Sequence, residues 1–137
     1  MKKATTITST KVLYADDDSD DKAWVSEACK AVNCSLKLYF VENGREAINY
    51  LTKLLPSELP SLIVLDLNMP ELDGRQTLKL LKKDPTYKHI PVAIVTTSSN
   101  KIDKEVCQQL GASLYLTKPD THHEWENVIR QLEPLVN

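Results

Sequence analysis

The sequence predicts an α/β fold in which a parallel sheet lies between two layers of helices. Five short apolar runs alternate with five stretches of helical period, which is the pattern of repeated β-α units. The runs at 62–65 and 92–95 are apolar throughout, as in strands covered on both faces, whereas 36–41 alternates like an edge strand. The five predicted strands are 12–15, 36–41, 62–65, 92–95 and 114–117. Each run is too short for a core helix.

The helices between these strands have recognisable starts and apolar faces. Asn43, Asp73 and Thr121 each stand three residues before a Glu or Gln, which is the spacing of a capping box. Apolar residues then recur at helical spacing, so each helix has one face that can pack on the sheet. The clearest of these faces comprise Trp24, Val25, Ala28, Cys29 and Val32; Ala47, Ile48 and Leu51; and Trp125, Val128, Ile129 and Leu132.

Length and charge favour one domain, and the lack of a signal peptide favours a cytoplasmic one. The chain has 137 residues, 42% of them hydrophobic, which suffices for one domain with its own core. Its net charge is −2 and its basic residues are scattered, so neither a nucleic acid nor a membrane is expected as a partner. Residues 1–10 form a short polar N-terminal extension without the apolar stretch of a signal peptide. We expect residues 11–137 to be a single domain that stands alone, with no output domain.

Glycine, cysteine and histidine usage excludes several kinds of site. The three glycines are far apart, so they cannot form a phosphate-binding glycine loop. The three cysteines, an odd number, are expected to be free thiols in the core of a protein from a reducing compartment. The histidines lack the spaced partners that a zinc site needs, and the nucleophile elbow of a serine hydrolase is missing.

Polar residues follow four of the predicted strands at the point where each strand ends. Asp16 and Asp17 follow the first strand, Asp66 the third, Thr96 the fourth and Lys118 the fifth. The carboxyl ends of parallel strands lie at the same edge of a sheet, where ligands of open α/β sheets bind. The sequence therefore predicts a site at this edge.

The residue types at this edge favour phosphoryl chemistry. Three ionised carboxylates about one strand spacing apart repel each other and need a cation. Lys118 supplies one positive charge, and Mg²⁺, which prefers oxygen ligands, would bring the sum to zero. A carboxylate in such a site can attack phosphorus, and Asp66 is our candidate nucleophile because apolar residues flank it. Lys118 and the Thr96 hydroxyl would bind the phosphoryl oxygens.

Over about residues 11–132, the chain resembles the receiver domain of response regulators in two-component signalling. The resemblance rests on four features in this order: Asp16-Asp17, the stretch 65–74 with sequence LDLNMPELDG, Val95-Thr96, and Tyr115 ahead of Lys118-Pro119. It implies a flavodoxin-like three-layer (βα)5 sandwich with strand order 2-1-3-4-5. The stretch 66–70 and the TTSS run at 96–99 are similar to small stand-alone regulators of phytochrome-type sensor kinases.

The resemblance also implies a role for each site residue. Asp66 would accept a phosphoryl group from a sensor histidine kinase or a histidine phosphotransfer protein. Asp17, Asp66 and the backbone carbonyl of Asn68 would bind Mg²⁺ directly, and Asp16 would help through water. Thr96 and Lys118 would bind the phosphoryl oxygens.

Further expectations concern switching and output. Tyr115 would be the rotameric partner of Thr96, and the Lys118–Pro119 peptide would be cis. Asn68 and Ser98 would flank the path of a hydrolytic water and tune the lifetime of the phosphoryl group. Output would pass through protein contacts, since the chain would be a switch rather than an enzyme. A surface of the fourth helix, fifth strand and fifth helix could also form a homodimer.

Two other functions remain open from the sequence. A phosphatase of the haloacid dehalogenase type also uses an aspartate after a parallel strand, but it needs a second acid where this chain has Asn68. A degenerate receiver that only binds partners is the other alternative, and the presence of the whole site argues against it. We interpret Asp18, Asp20 and Asp21 as solvated acids favoured at the start of a helix.

Overall fold

The computed structural model describes residues 10–136, so nearly all of the predicted N-terminal extension lies outside the described residues. Five strands alternate with five helices along the chain, as predicted. The strands are β1 (Lys11–Ala15), β2 (Lys37–Val41), β3 (Leu62–Leu65), β4 (Val92–Thr96) and β5 (Leu114–Thr117). The helices are α1 (Ser19–Ala31), α2 (Gly44–Thr52), α3 (Gly74–Lys83), α4 (Lys101–Gln109) and α5 (His122–Leu132), with short 3₁₀ helices at Pro56–Glu58 and Glu133–Val136.

The five strands form one parallel sheet in the order β2-β1-β3-β4-β5. This confirms the predicted order 2-1-3-4-5 and the edge position of the second strand. Strand β3 is central and buried along its whole length. In parallel sheets with helical crossovers the carboxyl ends of all strands share one edge. The residues that follow the strands therefore meet there.

Two apolar cores, one on each face of the sheet, make the fold a three-layer sandwich. Alternate residues of a strand point to opposite faces, so Val12 and Tyr14 enter one core and Leu13 and Ala15 the other. The first core is completed by α1 and α5, and the second by α2, α3 and α4.

The predicted helix caps are present. The side chain of Asn43 accepts a hydrogen bond from the backbone N–H of Glu46 at 2.9 Å. Asp73 and Gln76 exchange two hydrogen bonds, which is the reciprocal pattern of a capping box. Thr121 accepts from the N–H of Glu124 at 3.4 Å. These contacts satisfy backbone donors that helix starts leave open.

The prediction of three free cysteines is wrong for two of them, because Cys29 and Cys34 form a disulfide. The chain turns through a left-handed Asn33 (φ 53°) after α1. The Cys34 N–H then donates to the Cys29 carbonyl at 2.9 Å, and the two Cα atoms lie 5.1 Å apart, within the range that a disulfide spans. Cys107 is a free thiol in the core, as predicted. Among residues 10–136, no helix is long and apolar enough to cross a membrane.

Candidate functional site

Backbone hydrogen bonds continue the sheet past the strand ends and fix the acidic residues beside one another. The Asp16 N–H donates to the Val41 carbonyl at 3.0 Å, and the Asp66 N–H donates to the Ala15 carbonyl at 3.1 Å. Asp16 is fully buried and Asp66 is 5% exposed, whereas Asp17 is exposed. One carboxylate oxygen from each of these three aspartates lies within 4.8 Å of the other two. The predicted acidic cluster is therefore assembled.

Lys118 lies against this cluster from the other side of the sheet centre. Its backbone N–H donates to the Thr96 carbonyl at 2.6 Å, which extends the β4–β5 pairing by one residue. Its ammonium donates to Asp66 Oδ2 at 2.9 Å and forms an ion pair with Asp16 Oδ2 at 3.0 Å. Only 7% of its side chain is exposed. The structure thus brings Lys118 and the predicted nucleophile into direct contact.

A fourth carboxylate, which the sequence analysis assigned to solvent, also belongs to the site. Asp21 Oδ2 accepts a hydrogen bond from Lys118 Nζ at 2.6 Å. The interpretation of Asp21 as a solvated acid is therefore wrong. Asp18 does cap α1, because its side chain accepts from the N–H groups of Asp20 and Asp21, and Asp20 is exposed as predicted. The first turn of α1 turns the Asp21 side chain toward the strand ends.

Burial and charge shift the pKa values of two site residues. Burial raises the pKa of Asp16 to about 6, although a hydrogen bond from the Asp18 N–H and the charge of Lys118 both favour the carboxylate. Burial opposes the charge on Lys118, but hydrogen bonds to Asp21 and Asp66 and the charge of Asp16 together raise its pKa above the ordinary value. The Lys118 side chain therefore stays charged among these carboxylates, whereas ionisation of the buried Asp16 carboxyl costs free energy.

The donor set fits a hard divalent cation. Asp16 Oδ2 is buried and, among residues 10–136, accepts no hydrogen bond of normal geometry, although Lys118 is nearby. Such an oxygen retains its capacity to bind a cation. The Asn68 N–H donates to Asp66 Oδ1 at 3.3 Å, so the backbone at Asn68 stays close to the cluster. An all-oxygen set of this kind is typical of Mg²⁺ rather than zinc.

The raised pKa of Asp16 leads to a prediction about stability. Its folded-state pKa lies above the ordinary 3.8, so its favourable contribution is full below pH 4 and is lost as pH rises through 6. At pH 7 with chelator, Asp16→Asn is expected to raise the free energy of unfolding by up to about 3 kcal/mol, with no gain at pH 4. Urea unfolding at both pH values measures this. The exposed Asp120→Asn is the control, and an equal gain at pH 4 would contradict the assignment.

Thr96, Ser98 and Tyr115 form a second group beside the acidic cluster. Thr96 is buried at the end of β4, and its hydroxyl oxygen lies 3.4 Å from the Ser98 N–H. The Tyr115 hydroxyl donates to the Ser98 carbonyl at 2.9 Å. Asp103 accepts from the Ser98 hydroxyl at 2.7 Å and from Arg75 at 2.6 Å. The loop after β4 is therefore tied to α3, α4 and β5 at once.

One expectation about backbone geometry is wrong. The Lys118–Pro119 peptide is trans, as is every peptide bond among the described residues. Trans is the preferred isomer before proline, although by a small margin. With this isomer the Lys118 ammonium already reaches Asp66.

The order of these residues and the fold define a class of protein. The chain belongs to the response regulator receiver domain family, whose sequence model matches residues 12–130. This confirms the resemblance drawn from the sequence and places the protein in two-component signalling.

Particular relatives agree with this assignment. Response regulator Rcp1 of Synechocystis sp. is 36% identical over 110 residues, which cover 78% of this chain and 75% of Rcp1. The phosphorylated cyanobacterial phytochrome response regulator RcpA superimposes with a TM-score of 0.82 at 31% identity, over 91% of each chain. The Mn²⁺-bound form of Rcp1 gives a TM-score of 0.78 at 32% identity, over 90% of this chain and 91% of that one. Divalent-metal binding is thus recorded for a similar protein.

Proposed function

We propose that this protein is a phosphoryl-accepting switch in which Asp66 takes a phosphoryl group from the phosphohistidine of a sensor kinase or a phosphotransfer protein. The position of Asp66 is the observation that carries this proposal. Its carboxylate is nearly buried at the end of the central strand, 2.9 Å from the Lys118 ammonium and next to two further carboxylates. A carboxylate held in this way can act as a nucleophile toward phosphorus.

In the proposed transfer, an Asp66 oxygen forms a bond to phosphorus while the P–N bond of the phosphohistidine breaks. The electron pair of that bond stays on the imidazole nitrogen, which leaves with the donor. Lys118 and the Thr96 hydroxyl would donate hydrogen bonds to the phosphoryl oxygens, since phosphoryl transfer depends mainly on positioning and charge neutralisation. No general base is required.

We propose Mg²⁺ as the cofactor. Asp17, Asp66 and the Asn68 carbonyl would bind it directly, and Asp16 would contribute through water. When bound, a divalent ion neutralises charge on the entering phosphoryl group. Asn68 is exposed, and the Ser98 hydroxyl donates a hydrogen bond to Asp103. We propose that these two residues act on a hydrolytic water and thereby tune the lifetime of the phosphoryl group.

The signal would be the added charge. A phosphoryl group brings nearly two negative charges to Asp66, and Thr96 would move toward them. Tyr115 contacts the loop that carries Ser98, so its rotamer would change with that loop. The surface formed by α4, β5 and α5 would then bind a downstream protein or a second copy of the chain. We propose that this domain acts as a signalling switch and not as a phosphatase. Repeated hydrolysis of phosphomonoesters by the protein would contradict this proposal.

The relatives suggest a class of partner. RcpA is described as a phytochrome response regulator, and this chain aligns with it over 91% of its length. We propose that the phosphoryl donor of this protein is likewise a phytochrome-type sensor kinase. Phosphotransfer from such a kinase, compared with a kinase of another sensor class, would test this point.

The proposed function is tested by intact mass after incubation with acetyl phosphate. The wild type is expected to gain one phosphoryl group with Mg²⁺ and none with chelator. Asp66→Asn should gain none, whereas the exposed Asp120→Asn should behave as the wild type. If the wild type forms no adduct with fresh donor and excess Mg²⁺, the phospho-acceptor role is wrong and a receiver that only binds partners is favoured.

A further inference from the structure

The carboxylate of Asp21 makes the shortest contact of the Lys118 ammonium. Its Oδ2 accepts a hydrogen bond at 2.6 Å, compared with 2.9 Å for Asp66 and a 3.0 Å ion pair for Asp16. The Asp21 side chain is 17% exposed, so the contact is largely shielded from water. We propose that Asp21 is a positioning residue, which holds the ammonium against Asp66 during phosphoryl transfer. This inference rests on the proposed function.

The flexibility of lysine explains why an anchor besides the reacting and metal-site carboxylates is needed. Lysine has a flexible four-carbon stem and an ammonium with three N–H donors, so a single hydrogen bond does not fix its position. Asp21 projects from the first turn of α1, whereas Asp66 follows β3. Asp21 thus adds an acceptor on a third element to Asp16 after β1 and Asp66 after β3, and together they define where the Lys118 nitrogen sits.

Asp21 is also the partner of Lys118 that the proposed reaction leaves unchanged. Phosphorylation converts the Asp66 carboxylate into an acyl phosphate, which alters its contact with Lys118. Asp16 belongs to the proposed metal site. Asp21 has neither role, so its hydrogen bond can persist while Lys118 turns a free donor toward the phosphoryl oxygens.

If Asp21 acted only through its negative charge, its replacement would speed phosphoryl transfer instead of slowing it. A further negative charge near the site repels an anionic phosphodonor, so its removal would speed the reaction. Such a charge effect is screened by salt and would be shared by Asp20, which is the preceding residue and is exposed. A contact effect is specific to Asp21 and persists at high salt.

The test compares Asp21→Asn with its neighbour Asp20→Asn, which removes the same charge without touching Lys118. Rates of adduct formation with acetyl phosphate are measured over a range of Mg²⁺ concentrations, at low and high salt. Asp21→Asn is expected to lower the limiting rate about tenfold at both salt concentrations. The Mg²⁺ concentration at half-saturation should rise only slightly, since Asp21 is outside the proposed ligand set and acts on the ion through its charge alone. Asp20→Asn should keep the wild-type rate.

A second measurement does not depend on phosphorylation. The ammonium protons of a buried, hydrogen-bonded lysine exchange slowly, so a Lys118 signal is expected in ¹H–¹⁵N spectra of the wild type and of Asp20→Asn. Lys118→Met identifies that signal by its loss. In Asp21→Asn the signal should broaden or disappear.

The outcomes separate this inference from the proposed function. A wild type that reacts, with an Asp21→Asn variant that reacts equally fast or faster, overturns the positioning role alone. A wild type that forms no adduct overturns both. Slower reaction of Asp21→Asn with an unchanged ammonium signal would also overturn the inference, because Lys118 would then be held without Asp21.

Discussion

Replacing Gly74 with alanine is expected to lower the free energy of unfolding by about 3 kcal/mol. Gly74 is the buried first residue of α3 and donates its N–H to the Leu67 carbonyl at 3.1 Å. An added Cβ would overlap the Asp66 carbonyl oxygen and would lie 2.8 Å from the Leu67 Cα. These are backbone atoms, so they cannot rotate away as a flexible side chain could. Relief requires the α3 start and the Asp66 segment to separate.

The same separation is expected to impair the site, because the clash falls on the residue that carries the nucleophile. A displacement of about 1 Å at a reacting group can cost up to about 100-fold in rate. Urea unfolding and the rate of adduct formation from acetyl phosphate measure the two effects. The control is Lys101→Ala, at the exposed first position of α4, which is expected to change stability by less than about 0.5 kcal/mol. A wild-type free energy of unfolding in Gly74→Ala would contradict the prediction, because it would show that the backbone moves away from the added Cβ without loss of stability.

The sheet and the position of the site could be predicted from the sequence because both depend on short-range patterns. The run at 62–65 coincides with β3, and the capping residues Asn43 and Asp73 are three residues from their partners. Once five β-α units are recognised, the parallel topology alone brings the carboxyl ends of the strands to one edge. Asp16, Asp66 and Lys118 were found in this way.

What the sequence could not predict depends on contacts between distant residues and on how each helix is rotated. Asp20 and Asp21 are adjacent acids with the same local pattern, yet only Asp21 contacts Lys118, which is 97 residues away. Both acids lie in the first turn of α1, so no signal in the sequence singles out Asp21. The Cys29–Cys34 pair likewise depends on the left-handed turn that ends α1, which an odd number of cysteines does not indicate.

Replacing Lys118 with methionine is expected to slow adduct formation at Asp66 by about 100-fold. In other active sites, removal of one hydrogen-bond donor to a developing negative charge slows the reaction by a similar factor. Methionine has a similar length but no charge, so the carboxylates of Asp16, Asp21 and Asp66 would lose their common cation. Unpaired buried charges are costly, and with chelator the free energy of unfolding should fall by about 3 kcal/mol at pH 7. Acidification should reduce this loss, since protonated carboxyls do not repel each other.

The Lys118→Met variant should also bind divalent ions more tightly, because one positive charge has left a cluster of carboxylates. Tighter ion binding together with slower phosphoryl transfer distinguishes the loss of a phosphoryl-binding group from general damage to the site, which would weaken both. A titration with Mn²⁺ measures the affinity for the ion, and the acetyl phosphate reaction measures the rate of phosphoryl transfer on the same sample. The exposed Lys104→Met should match the wild type in both. Transfer at the wild-type rate in Lys118→Met would mean that the phosphoryl oxygens are neutralised by other groups, and Lys118 would then act only on the stability of the unphosphorylated protein.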